Sequence, residues 1–203
     1  MKTTKPMTPK TAVITLSRFL LILSMLLFCF SCKKDDEVVI SNRVIIDVTT
    51  YELVSGFFDN NPDMMNSADT PPQQGFAQEI LFISTGLTMN TSTGIVSGNG
   101  SAIVFNPFTA AQTLSTGSFL FPEPYSEKIG FLLDAYACKN YNAATDECEI
   151  EYDGESGTLT IGISGSTYTI KFVGKMVYED ASSNEISVDV DLSFEGTLTG
   201  VDL

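Results

Sequence analysis

The stretch Glu185–Glu195, with the sequence EISVDVDLSFE, alternates polar and apolar residues over its whole length. Successive side chains of an extended strand point to opposite faces, so this period of two gives one apolar face and one wet face. The apolar face consists of Ile186, Val188, Val190, Leu192 and Phe194. A strand with one buried and one solvated face is typical of an antiparallel sheet.

The same alternation continues upstream of this stretch. Leu159–Ile163 and Tyr168–Phe172 both place apolar residues at every second position, and Ser164–Ser166 lies between them as a Gly-containing turn. A second turn, Ala181–Asn184, leads into the stretch that begins at Glu185. Short polar turns between alternating segments predict a meander of strands over about the last 50 residues.

Further strands are predicted nearer the N-terminus, separated by turns rich in Gly, Ser, Asn and Pro. They are Arg43–Val54, Phe76–Ser84, Ala102–Phe105, Ser118–Phe121 and a fifth through Ile129, Phe131, Leu133 and Ala135. This spacing is typical of an all-β domain rather than of βαβ units. We therefore predict a single antiparallel β-sandwich over residues 43–203, with an open β-barrel as the alternative.

The N-terminal segment has the composition of an export signal. Lys2, Lys5, Lys10 and Arg18 precede an apolar run over residues 19–28, which is shorter than the roughly 20 residues of a transmembrane helix. The small residue Ser31 precedes Cys32. We expect residues 1–31 to be a lipoprotein signal peptide, with an uncleaved signal anchor or an ordinary secretory peptide as the alternatives.

Cys32 is then the lipidated first residue of the mature chain, and residues 32–42 form a flexible acidic tether. Acyl chains on Cys32 would make the outer membrane a partner, since each buried methylene contributes about 0.8 kcal/mol. The residues that follow Cys32 are Lys33, Lys34, Asp35, Asp36 and Glu37.

This Cys-Lys-Lys-Asp-Asp-Glu sequence resembles the start of surface lipoproteins of Bacteroidota-type bacteria. In that group the Lys and acidic residues are an export address that receptors read. The resemblance implies an outer-membrane protein that faces the cell exterior, with the periplasmic face as the alternative; a charged tether without an address would have the same composition. It implies no activity, because such proteins are largely of unknown function.

Charge and composition exclude several classes of function. Without residues 1–31 the chain has 7 basic and 25 acidic residues, a net charge of −18, which argues against nucleic-acid partners. The sequence contains no His, so a Ser-His-Asp triad is excluded. We predict a binding module for a glycan or a protein, not an enzyme. The alternatives are a structural component of the envelope or of a fimbria, and an enzyme based on paired carboxylates, for which Asp134 is the first candidate.

Two cysteines remain in the mature domain, Cys138 and Cys148. Disulfides persist outside the cytosol, and the polar segment 139–147 between these cysteines is typical of a long hairpin loop. We predict a disulfide, with two free thiols as the alternative. The cysteine spacing does not favour a metal site.

Two loops contain candidate ligand-binding residues. Asp59, Asn61 and Asp63 offer the oxygen ligands that Ca²⁺ accepts, although Asp and Asn also favour ordinary turns. Phe108 and Tyr125 lie in Pro-containing loops and are candidates for an aromatic contact surface, with core packing as the alternative. No other cofactor is expected.

Overall fold

The computed structural model describes residues 42–121 and 126–202, and in this part of the chain every regular element is a β-strand. The all-β prediction is confirmed. The strands are β1 Arg43–Ile46, β2 Thr49–Asp59, β3 Met64–Asn66, β4 Gln74–Ala77, β5 Ile80–Ser84, β6 Leu87–Asn90, β7 Ile95–Thr109, β8 Gly117–Leu120, β9 Leu132–Asn142, β10 Ile150–Ser164, β11 Thr167–Glu179, β12 Glu185–Gly196 and β13 Leu198–Val201. Within the described ranges no helix has the length and apolar character needed to cross a bilayer.

Eight of these strands close into a ring. Their order is β2, β1, β12, β11, β10, β9, β7, β5 and back to β2, and every pairing in the ring is antiparallel. A sandwich is not confirmed, because β5 bonds to both β2 and β7 and so joins the two edges that a sandwich would leave apart. The barrel alternative fits the structure, with closure in place of an open edge.

The C-terminal meander is confirmed. Residues of β11 pair with β10 from Thr167 to Val177 and with β12 from Tyr168 to Glu179, in antiparallel ladders of which the first contains a bulge at Glu155. In β12 the buried side chains are Val190, Leu192 and Phe194, whereas Ile186 and Val188 are half-buried.

Three of the upstream strand predictions need correction. The predicted strand Arg43–Val54 is a hairpin of β1 and β2, because Asp47 has a φ of 55° and reverses the chain. The predicted strand Phe76–Ser84 is divided into β4 and β5, which both pair with β7. The segment Ala102–Phe105 is the middle of the 15-residue strand β7. The predicted strand Ser118–Phe121 corresponds to β8.

The predicted alternation through Ile129 and Ala135 is also wrong. Ile129 precedes β9 and is 40% exposed, and the buried positions of the strand are Leu132, Ala135, Ala137 and Cys138. The pairing with β7 shifts register here, since Pro107 pairs with Leu132 but Asn106 pairs with Asp134. The extra residue in β9 forms a β-bulge. Beyond the bulge, each side chain points to the face opposite to the one that strict alternation predicts.

The interior of the barrel is filled by aromatic side chains. Phe82, Phe105 and Phe172 are fully buried and Phe194 nearly so. The Phe105 and Phe172 ring centroids are 4.9 Å apart, as are those of Phe82 and Phe194. An eight-stranded barrel is just wide enough for side chains to fill its interior, and this one is filled.

A second apolar cluster covers part of the outside of the barrel. Leu81 and Ile83 alternate along β5 with the inward residues Ile80 and Phe82, so they point outward. They pack with Leu87 at the start of β6. The β6–β7 hairpin therefore forms an additional layer on this side of the barrel, whereas β13 pairs with β2 in the sheet itself.

Candidate functional site

The barrel wall opens into a cleft at the end where β5 stops. Pairing between β5 and β2 begins at Ser84 and Leu53, whereas β2 itself starts four residues earlier at Thr49. Thr50–Glu52 therefore extend beyond β5 and form one side of the cleft, with Ser84 and Thr85 at its base. The cleft has a volume of about 650 Å³, which is within the usual range for small-molecule sites.

The other side of the cleft comes from β7 and β9, and its chemistry is polar. Asn99, Gly100 and Ser101 of β7 line this side together with Asn140 and Asn142 of the neighbouring strand β9, and Asn99 pairs with Asn142 in the ladder. Each asparagine amide has an NH2 group that donates and a carbonyl oxygen that accepts. Each serine or threonine hydroxyl can also donate one hydrogen bond and accept others. The lining therefore presents many uncharged hydrogen-bonding groups.

A chain of hydrogen bonds holds the base of the cleft in place. The Ser101 backbone N–H donates to Ser84 Oγ at 2.7 Å, and the Asn140 backbone N–H donates to Ser101 Oγ at 3.2 Å. Asn140 has a φ of 50°, a left-handed conformation that asparagine tolerates better than most residues. These bonds connect β5, β7 and β9 where their regular pairing ends.

Charged groups lie beside the cleft. Lys139 Nζ is 2.7 Å from Glu149 Oε1, and Asn140 Nδ2 donates to the other oxygen of Glu149 at 2.5 Å. These two hydrogen bonds lower the pKa of Glu149. Burial raises the pKa of Tyr51, and the nearby charge of Lys139 opposes that rise. At neutral pH Tyr51 in the lining is thus protonated, and the Lys139–Glu149 ion pair lies beside the cleft.

The predicted disulfide is confirmed. Cys138 and Cys148 are bonded, with their Cα atoms 5.5 Å apart. The loop is shorter than the sequence indicates, because β9 continues to Asn142. Tyr136 Oη lies 3.4 Å from Cys148 Sγ on the outer side of the barrel. The bond fixes the segment that carries Glu149 next to β9.

The predicted calcium ligands make turn contacts instead of a cluster. Asp59 Oδ1 accepts the backbone N–H of Asn61 at 2.9 Å, and Asn61 Oδ1 accepts Gln112 Nε2 at 2.9 Å. Asp63 is exposed. Across residues 42–121 and 126–202, no three or more His, Cys, Asp or Glu side chains are grouped to hold a metal ion. This arrangement fits the turn alternative.

The predicted aromatic contact surface is not assembled at Phe108. This side chain is fully buried, which fits core packing and leaves no face for a ligand. Tyr125, the predicted signal and Cys32, and the residues of the export address all lie outside the described residues.

The candidate acid Asp134 is an exposed strand residue whose Oδ1 accepts the N–H of the next residue at 2.8 Å. Another carboxyl, Glu79, has a pKa raised by burial and, to a smaller extent, by Asp59. Neither lines the cleft. The structure therefore does not bring these acids together at the opening.

The sequence did not identify the asparagines of the cleft. Asn140 and Asn142 lie in a segment that its composition marks as a loop, and Asn99 lies between two glycines. Comparisons with protein-family models, with curated proteins and with solved structures give no match for this chain. The cleft and the sequence are therefore the features of this chain that bear on its function.

Proposed function

We propose that this protein is a lipid-anchored surface protein that binds a neutral glycan in the cleft between β2, β7 and β9. The proposal rests on the lining of the cleft. Three asparagine side chains line it together with serine and threonine hydroxyls, and the volume of the cleft is about 650 Å³. Sugar hydroxyls are both donors and acceptors, so they require partners of this mixed kind.

The remaining contacts suit a sugar as well. Tyr51 adds an aromatic side chain to a lining that is otherwise hydrophilic, and rings of this type combine an apolar body with a polar end. Lys139 is paired with Glu149 beside the cleft, and the carboxylate of Glu52 in the lining would repel an anionic ligand. A neutral oligosaccharide of a few sugar units matches this chemistry and volume.

The anchor places the cleft outside the cytoplasm. Ten residues separate Cys32 from the first strand, and an extended chain of that length spans at most about 35 Å. A tether of that reach would allow the barrel to turn its cleft away from the membrane. Export to the outer face, which the Lys and acidic residues after Cys32 favour, would bring the cleft into contact with extracellular glycans.

Glycan binding is tested by thermal unfolding of protein purified from cells that express the full chain. A panel of neutral oligosaccharides is added to the wild type, to Asn99→Ala and to Asn66→Ala. Asn99 lines the cleft, and Asn66 is a matched control because it is an exposed strand asparagine of β3. A ligand at one hundred times its Kd stabilises the folded state by about 2.7 kcal/mol.

We expect at least one oligosaccharide to raise the Tm of the wild type and of Asn66→Ala by several degrees. The shift should be much smaller for Asn99→Ala, because the sugar loses a hydrogen-bonding partner. The proposal fails if no member of the panel shifts the Tm, or if all three proteins respond equally.

The location is tested on intact cells with an added protease. The comparison is between wild type and a variant in which Lys34, Asp35, Asp36 and Glu37 are all alanine. Digestion of the wild type with protection of the variant supports a surface address. Protection of both, with cleavage after lysis, would place the domain in the periplasm and contradict the surface part of the proposal. Cys32→Ala should in addition release the protein from the membrane fraction.

A further inference from the structure

A second cavity lies on the outer side of the barrel, and no residue of its lining also lines the cleft. It has a volume of about 410 Å³ and lies between the β6–β7 hairpin and the disulfide-bonded segment. Its apolar part consists of Leu81, Val96 and Ala102, which belong to or pack against the outer apolar cluster. This part offers methyl and methylene surface to a ligand.

Two tyrosines and the disulfide form another part of the wall. Tyr136 Oη contacts Cys148 Sγ at 3.4 Å, and Tyr141 Oη donates a hydrogen bond to Asp146 Oδ1 at 2.8 Å. Each hydroxyl therefore has a partner that fixes the position of the outer end of the ring. The aromatic rings are held at the cavity by contacts within the protein.

The charged part of the lining is negative. Asp146 and Glu151 both line the cavity and both are exposed to solvent. Burial raises the pKa of Tyr136, and the charge and hydrogen bonding of Glu151 raise it further. Asp153 and Asp146 act in the same direction, which indicates that three carboxylates act on this ring.

Basic groups do not neutralise this charge at the cavity. None of the described residues that line the cavity is Lys or Arg. Lys139 follows Cys138 directly, but its ammonium group is 2.7 Å from Glu149 and is paired there. The cavity thus combines an apolar floor, two aromatic rings and two carboxylates.

We propose that this cavity binds a linear aliphatic amine in its ammonium form. The alkyl chain would pack on Leu81, Val96 and Ala102, and one terminal ammonium group would lie between the tyrosine rings and the carboxylates. Aromatic faces attract cations within about 6 Å of the ring centroid, and hydrogen bonds between ions are stronger than neutral ones. A neutral apolar ligand would leave the carboxylates unused, and an anion would be repelled.

The cavity suits a free amine in size. Its volume is near the lower end of the range for small-molecule sites. This inference does not depend on glycan binding, because the glycan cleft has a separate lining. Loss of one site should leave the other intact.

The test is a calorimetric titration of cadaverine into protein purified from cells that express the full chain. Pentanol, which has an alkyl chain of the same length and no charge, is the neutral comparison. Nα-acetyl-lysine amide tests whether the ammonium group of a protein side chain is taken instead. Aromatic NMR signals of Tyr136 and Tyr141, assigned with Tyr→Phe variants, report where the amine binds.

Three variants remove one negative charge each. Asp146→Asn and Glu151→Gln change the cavity, and Glu185→Gln changes an exposed strand position on β12 that does not line it. Asparagine is chosen at position 146 because the φ there is 56°, which Asn tolerates. All three should keep the far-UV CD spectrum of the wild type.

We expect saturable binding of cadaverine with shifts of both tyrosine signals and no saturable binding of pentanol. Asp146→Asn and Glu151→Gln should each raise the Kd roughly tenfold, and Glu185→Gln should leave it within about twofold. Tyr141→Leu should weaken binding a few-fold through loss of the ring. Raised salt should weaken binding in the wild type.

Several results would overturn the proposal. They are absence of saturable cadaverine binding, equal affinity for pentanol, equal effects of the three charge variants, and binding that leaves both tyrosine signals unchanged. Binding of Nα-acetyl-lysine amide without binding of cadaverine would show a site for a protein side chain and would also overturn it.

Discussion

Replacing Gly174 with alanine should destabilise the barrel by about 3 kcal/mol. Gly174 of β11 pairs directly with Gly157 of β10. A Cβ at position 174 would lie 2.7 Å from Gly157 Cα and 2.7 Å from Phe172 Cζ, and would also clash with the carbonyl oxygen of Ser156. The ladder fixes the backbone atoms, so they cannot move without loss of pairing.

The size of the effect follows from how little the neighbours can yield. Phe172 is fully buried and its ring centroid is 4.9 Å from that of Phe105, so rotation of the ring would disturb a second aromatic side chain. Overpacking of a well-packed core typically costs 1–3 kcal/mol, and a clash with backbone belongs at the upper end of that range.

Gly162→Ala is the matched control, since Gly162 lies on the neighbouring strand β10. Its Cβ would meet only Thr169, at 3.6 Å, which is an ordinary contact. Alanine should be neutral there or stabilise the strand by about 0.5 kcal/mol, because glycine loses more entropy on folding. Urea unfolding monitored by far-UV CD measures both variants. Free energies of unfolding that agree within about 1 kcal/mol would refute the packing argument.

Three further results are expected. Replacing both Cys138 and Cys148 with alanine should lower the free energy of urea unfolding by about 2–3 kcal/mol, through loss of the constraint on the unfolded chain. Gln78→Leu should lower the free energy of unfolding by about 2–3 kcal/mol. The buried Gln78 Nε2 donates to the backbone carbonyls of Ala111 at 3.2 Å and Gln112 at 2.8 Å, and both bonds would be lost. Hydrogen bonds from the following turn lower the pKa of Asp180 in the folded state. The ionised carboxylate therefore stabilises the fold at pH values above the pKa of the unfolded state, and this stabilisation is lost as the pH falls through the folded-state pKa. Asp180→Asn should therefore reduce the acid-induced loss of stability in urea titrations across the acidic range.

The elements that could be predicted are those whose signal is local. In β11 and β12, and in β10 after its bulge at Glu155, one face meets the interior and the other meets water, so apolar residues recur at every second position. Turns such as Ser164–Ser166 contain residues that favour reversal of the chain. No contact distant in sequence is needed to recognise such segments.

The strand boundaries predicted from the sequence were wrong where a strand contains a glycine, a proline or a register shift. β7 runs from Ile95 to Thr109 through Gly98–Gly100 and through Pro107, residues that usually end strands. The structure accommodates them because β7 pairs with β6, β5 and β4 in succession, and the register shifts at Gly100 and at Asn106. These shifts depend on partners that the local sequence does not specify.

Closure of the barrel could not be predicted for a related reason. It requires β5 to pair with both β2 and β7, and the sequence pattern of β5 only indicates that it is apolar on both faces. The two faces of β5 are buried by different clusters, since Phe82 faces the interior of the barrel and Leu81 faces the outer apolar cluster. A sandwich strand covered on both sides would have the same pattern.

The filled interior limits where this fold can bind anything. Phe82 and Phe105 are fully buried in the barrel, and their ring centroids are 6.5 Å apart in an edge-to-face arrangement. A ligand in the centre would have to displace such rings at a cost of several kcal/mol each. Binding surfaces must therefore come from places where the wall is interrupted or covered from outside. The early end of β5 at Ser84 creates the polar cleft, and the disulfide-bonded segment creates the acidic cavity, so both candidate sites follow from departures from a regular barrel.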